Sequence, residues 1–276
     1  MNHSANNRFF MIAGYLACLL LIPGYVNLFT VWNYATSTLG DHRSGLLPFL
    51  ATGLLLLIIL AVIRHRPGRV NSWGLIMLGI ALTGIALFTT DPTFPAKRIH
   101  VAEYLLLVLI VRYAMSFKLS GTPLLFFSFL FAALLGVHDE MLQGFSQNRT
   151  YGTRDMLVNS LGALSGALIW QGAGWFNRPP APHATRCPGR SYGPPLYLMW
   201  LVISLFLAVY PLYYYRGLEI IPFWPFVPLG STMVYFTLIS RRIPSHWRHG
   251  AQAVTFCAFS LCCYPFYSHV SKVLFY

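Results

Sequence analysis

Three stretches of the chain carry residue types that can do chemistry at helical spacing. Lys97, His100 and either Glu103 or Tyr104 follow one another by steps of three and four residues; Glu140 and Gln143 are three apart with Arg149 beyond them; Asp155 and Asn159 are four apart. Steps of three and four bring side chains to one helix face. His100 and Glu140 are the best candidates for general acid or base work, with Asp155 a third candidate catalytic group. Lys97 and Arg149 suit an anion or developing negative charge, and Gln143, Asn159 and Tyr104 can orient hydroxyl or amide groups.

Each of these residues also has a structural reading. Lys97 and His100 can snorkel and cap at a membrane interface. Glu140 can pair with Arg149, and Asp155 suits the N-cap of a helix, where it complements the dipole. A metal site drawn from His100, His138, Asp139, Glu140 or Asp155 has the right donors but no motif spacing, so no metal and no cofactor is expected. Ser165 lies among small residues in "LGALSGAL" and reads as packing. The five cysteines show neither metal nor redox spacing.

The elements that must position these groups are membrane helices. Of 276 residues 56% are hydrophobic and only 9% charged, and mean hydropathy is positive, far from the charge content of soluble domains. Runs long enough to cross a hydrocarbon layer of about 30 Å recur throughout. The sequence predicts an all-α polytopic transmembrane helix bundle of about nine spans (eight to ten), at 9–31, 46–63, 72–89, 101–117, 121–142, 156–174, 196–215, 220–240 and 250–270. The first run is too long for the core of a secretion signal and reads as a retained anchor.

Charge sets the expected orientation. With nine alternating spans, one side receives twelve of the nineteen basic residues, among them Arg8, Arg64, Arg112, Lys118, Arg178 and Arg241, and no acid; the other receives all seven acids. Basic loops stay inside, which makes the N-terminus cytoplasmic and the three polar stretches extracytoplasmic. The net charge of +12 is then a topology signal, and no nucleic-acid partner is expected. Short connections at 117–121 and 143–155 make consecutive helices antiparallel neighbours, which predicts one polar cluster at their outer ends. Gly162 and Gly166 share the face of Asp155 and Asn159, predicting a closely packed helix there.

The expected units are two N-terminal spans at 1–71, a four-span core at 72–175, a Pro-rich cytoplasmic linker at 176–195 carrying Pro179, Pro180 and Pro182, and a three-span unit at 196–276. In the last, Tyr210, Tyr213, Tyr214, Tyr215, Phe223, Trp224 and Phe226 form an aromatic outer belt. Pro222, Pro225 and Pro228 interrupt the eighth span, which leaves an aromatic lid over the polar cluster as an alternative.

The runs K-x-x-H-x-x-x-Y at Lys97, His100 and Tyr104, E-x-x-Q-x-F-x-x-x-R at Glu140, Gln143, Phe145 and Arg149, and D-x-x-x-N-x-x-G-x-x-x-G at Asp155, Asn159, Gly162 and Gly166 resemble the VanZ-like family of bacterial membrane proteins. The resemblance covers 72–175. It implies a multi-pass protein of the bacterial inner membrane with an envelope-related role, in a family named for an accessory protein of glycopeptide (teicoplanin) resistance. The expected partner is a membrane lipid or lipid-linked cell-wall intermediate. Whether the chain is an enzyme stays open, as does its oligomeric state. A membrane carrier and a non-catalytic structural or partner-binding protein are the alternatives.

Overall fold

The computed structural model describes residues 3–65, 70–147, 149–177 and 193–276. Among them the regular structure is helical, and extended pairing is confined to one antiparallel bridge between Leu218 and Phe275. The helices are α1 (His3–Leu39), α2 (Asp41–Ser44), α3 (Leu47–Arg64), α4 (Trp73–Thr89), α5 (Ile99–Met115), α6 (Gly121–Gly144), α7 (Thr153–Gly172), α8 (Gly193–Leu212), α9 (Val227–Ile239), α10 (Ser245–Ser260) and α11 (Cys263–Ser271). Most of the expected linker, with Pro179, Pro180, Pro182 and Cys187, lies outside the described residues.

Among the described residues five helical stretches are long and apolar enough to cross a membrane: Asn6–Leu39, Leu47–Arg64, Gly121–Gly144, Pro195–Tyr215 and Trp247–Ser271. Trp73–Thr89 and Trp224–Ile239 are apolar but shorter. The fourth and sixth expected spans, α5 and α7, are helical but carry the polar candidates, and buried Arg112 lies near the other end of α5. Outward-facing residues on the long helices include Leu20, Leu50, Leu57, Phe206 and Val270, each more than 60% exposed. An apolar exterior of that extent fits lipid as the surrounding medium.

Helix boundaries differ from the hydropathy reading where proline intervenes. The eighth span begins as irregular chain and a 3-10 turn at Trp224–Phe226, and α9 starts only at Val227, with Pro228 in its first turn. Proline has no N–H to donate and fits where a helix needs none. Pro265 likewise sits in the first turn of α11, and the last expected span is divided at Leu261 and Cys262. Pro23 lies inside α1, which continues through it and runs well beyond the expected end at 31.

The chain forms two compact units, Met1–Gly136 with Arg154–Arg178, and Val137–Thr153 with Pro179–Tyr276. In the first, α1 and α3 pack on α5. The face of α7 bearing Gly162 and Gly166 lies on α5: a Cβ at Gly166 would meet Val108 and, at 2.9 Å, the Leu105 carbonyl. The close helix contact expected from the glycine spacing is therefore present, and its partner is α5. Trp170 Nε1 donates to the Leu105 carbonyl at 3.0 Å on the same seam.

In the second unit α9 packs against α8 and α10. Residues 272–276 cross the end of α6 as a strap: Tyr276 N donates to the Gly144 carbonyl at 2.7 Å, and Gly217 N donates to Phe275 O at 2.6 Å. Phe275 is fully buried against Tyr151 and Phe145. Of the expected belt, Tyr210, Tyr213, Tyr214 and Trp224 are exposed and Phe226 is buried.

Candidate polar site at the start of the fifth and seventh helices

After α4 the chain turns on Asp91, whose carboxylate accepts from the Thr93 N–H at 2.9 Å and the Thr93 hydroxyl at 2.6 Å. These bonds, with lesser help from Arg154 and Lys97, hold the Asp91 carboxyl below its ordinary range. A 3-10 turn at Pro95–Arg98 then leads into α5. Arg154, in the first turn of α7, donates to the Thr89 carbonyl at 2.6 Å and the Thr90 carbonyl at 3.1 Å. These carbonyls at the end of α4 lack intrahelical partners, so Arg154 ties the beginning of α7 to the end of α4.

Lys97 pairs with Asp155. Asp155 lies within the first turn of α7, not at its N-cap as the sequence suggested, because the helix begins at Thr153. One turn further on is Asn159, fully buried, and neither its amide oxygen nor its nitrogen has a hydrogen-bond partner among the described residues. Asn159 packs where α6 approaches: a Cβ at Gly136 would lie 2.9 Å from Asn159 Cβ and 3.3 Å from the Tyr104 ring. Tyr104 is itself buried, with the His100 ring edge-on at 6.5 Å.

His100 Nδ1 lies 2.7 Å from Glu103 Oε2. A carboxylate there fixes the orientation of the imidazole. Both residues are buried. The second oxygen of Glu103 has no hydrogen-bond partner among the described residues, and its backbone carbonyl accepts from Tyr25 on α1 at 3.3 Å. Glu103, which the helical spacing offered as the alternative to Tyr104, is thus a member of the site. Its position three residues after His100 was the available signal.

The expected site residues divide between the two units. Lys97, His100, Tyr104, Asp155 and Asn159 are gathered in the first. Glu140, Gln143 and Arg149 belong to the second, where Arg149 donates from Nε and NH2 to Gln143 Oε1 at 3.0 and 2.6 Å. Glu140 Oε2 accepts from the Gly152 N–H at 3.1 Å. The loop that carries these contacts is held by Tyr151, whose hydroxyl donates to the Val209 carbonyl at 2.6 Å and whose N–H donates to Tyr276 O at 3.0 Å. Burial, then the neighbouring Glu140 charge, pushes the Tyr151 phenol above its ordinary range.

Arg112 lies in the last turn of α5. It is fully buried, with Nε donating to the Trp175 carbonyl at 2.8 Å and NH2 to Gln171 Oε1 at 2.6 Å. Ser165 is buried beside the α4 contact, as a packing residue would be.

Among the described residues the fold is helical, with five helical stretches long and apolar enough to span a membrane and a buried polar group at the start of α5 and α7. Comparison of the chain with protein-family models, with curated proteins and with solved structures gives no match.

Proposed function

We propose that this chain is a multi-pass, VanZ-like membrane protein of the bacterial envelope that binds the polar head of a lipid or lipid-linked cell-wall intermediate through Lys97, His100, Glu103, Tyr104, Asp155 and Asn159. The proposed arrangement has about nine spans with the N-terminus in the cytoplasm, as the sidedness of the basic residues suggests. The observation that carries the reading is the buried Asn159 amide, which has no hydrogen-bond partner among the described residues. Burying such a group unpaired costs roughly 1 to 3 kcal/mol, a cost recovered when a ligand hydroxyl or amide both gives and accepts a hydrogen bond there. The free oxygen of Glu103 adds a second acceptor.

The charges favour that kind of head over a bare anion. Lys97 is already neutralised by Asp155 and His100 is engaged by Glu103, so the group has little uncommitted positive charge. If the ligand is turned over, His100 held by Glu103 is the proton-transfer group of this unit. Native mass spectrometry of gently extracted protein tests the reading. Wild-type protein is expected to retain a polar lipid that Asn159→Leu and Glu103→Gln proteins release. Identical lipid profiles in all three would refute it.

A further inference from the structure

A second polar feature lies in the same unit, remote from the candidate site. Asn7, Arg8 and Met11 from the start of α1 and Phe117 and Lys118 from the turn after α5 line a cleft of about 190 Å³. Arg8 precedes Tyr25, the α1 residue bonded to the Glu103 carbonyl, by seventeen residues, about 25 Å along a helix. The cleft and the candidate site thus sit at opposite ends of α5, separated by nearly the depth of a hydrocarbon layer.

The lining has a definite chemistry. It holds two cations and an amide but no acid, and neither Arg8 nor Lys118 pairs with a carboxylate among the described residues. Guanidinium binds two phosphate oxygens at once and ammonium adds a point charge. Met11 and Phe117 supply an apolar wall. Phe9, Phe10 and Ile12 next to it on α1 are 67%, 46% and 53% exposed, so the basic cleft opens beside apolar surface.

We infer that this cleft binds the phosphate of an anionic lipid headgroup, with Arg8 and Lys118 as its ligands and Met11 and Phe117 against the adjoining glycerol and first methylenes. An inorganic phosphate would satisfy the cations but not the apolar wall. The assignment is independent of the proposed function, because it uses none of that site's residues.

The test is lipid retention in native mass spectra of the full chain taken from nanodiscs containing phosphatidylglycerol and, as the phosphate-free competitor, digalactosyldiacylglycerol. Wild-type protein should retain phosphatidylglycerol preferentially. The Arg8→Gln/Lys118→Gln protein should lose roughly 30-fold of that preference, taking each cation near a membrane surface at its usual worth, while Arg8→Lys/Lys118→Arg restores most of it. Equal retention of the two lipids by wild type, or an undiminished preference in the glutamine variant, would overturn the assignment. Displacement of phosphatidylglycerol by millimolar inorganic phosphate would assign the cleft to the free anion and overturn the lipid reading.

Discussion

The Lys97 ammonium pairs with the Asp155 carboxylate across 58 residues of sequence, joining the turn before α5 to the first turn of α7. The Asp155 side chain is only 4% exposed and that of Lys97 21%. Together with the Arg154 bonds to the end of α4, the pair fixes where Asn159 is presented.

Breaking this pair from one side should cost more than removing it. Lys97→Met leaves a nearly buried carboxylate without its counter-charge, an expected loss of about 2 to 3 kcal/mol, somewhat below the range for fully buried pairs. Lys97→Met/Asp155→Leu should recover a substantial part. Unfolding midpoints of the two single variants and the double variant in detergent give the coupling. Additive effects would show that the pair contributes nothing.

The α5 and α7 seam makes a sharper steric prediction. Gly166→Ala drives a methyl into Val108 and the Leu105 carbonyl, where the backbone cannot yield, and should destabilise by about 1 to 3 kcal/mol. Gly84→Ala on α4 meets nothing within 4 Å and should be neutral or stabilising by up to about 1 kcal/mol. Thermal unfolding of the two variants side by side checks the contrast.

Tyr151 predicts an alkaline limit. Its folded-state pKa is raised by burial and by the Glu140 charge, whereas in the unfolded chain the phenol ionises near pH 10. Its contribution is therefore complete below about pH 10 and is lost as pH rises toward the folded-state value, since only the unfolded chain sheds the proton in that window. Tyr151→Phe should be about 1 kcal/mol less stable at neutral pH, having lost the bond to Val209, yet decline less steeply above pH 10. Unfolding midpoints across that pH range for both proteins measure it.

Much of the helical framework was legible because hydropathy alone sets it: every expected span contains a helix. The α5 and α7 contact was legible because Gly162 and Gly166 mark a face that can come close to a neighbour. Three features were less visible. Lys97 and Asp155 are too far apart in sequence for any periodicity to pair them. Arg154 has no local pattern that points to the Thr89 and Thr90 carbonyls. The Phe275 strap is short, irregular and stabilised by backbone bonds that any residue can make. Proline, finally, shifts the start of α9 and divides α10 from α11 through missing donors, which an average over apolar residues does not register.

The central claim is that Asn159 is buried for a ligand, not for the fold, and it is tested most directly by thermal shift with a polar-lipid extract from the expression host. Asn159→Leu removes two unpaired polar atoms from a buried place, so without added lipid its unfolding temperature should equal or exceed that of wild type. Saturating extract should raise the wild-type midpoint, since a ligand at a hundred times its dissociation constant adds about 2.7 kcal/mol, and should leave the Asn159→Leu midpoint unmoved. An equal rise in both proteins, or an Asn159→Leu protein that is markedly less stable without lipid, would contradict the account.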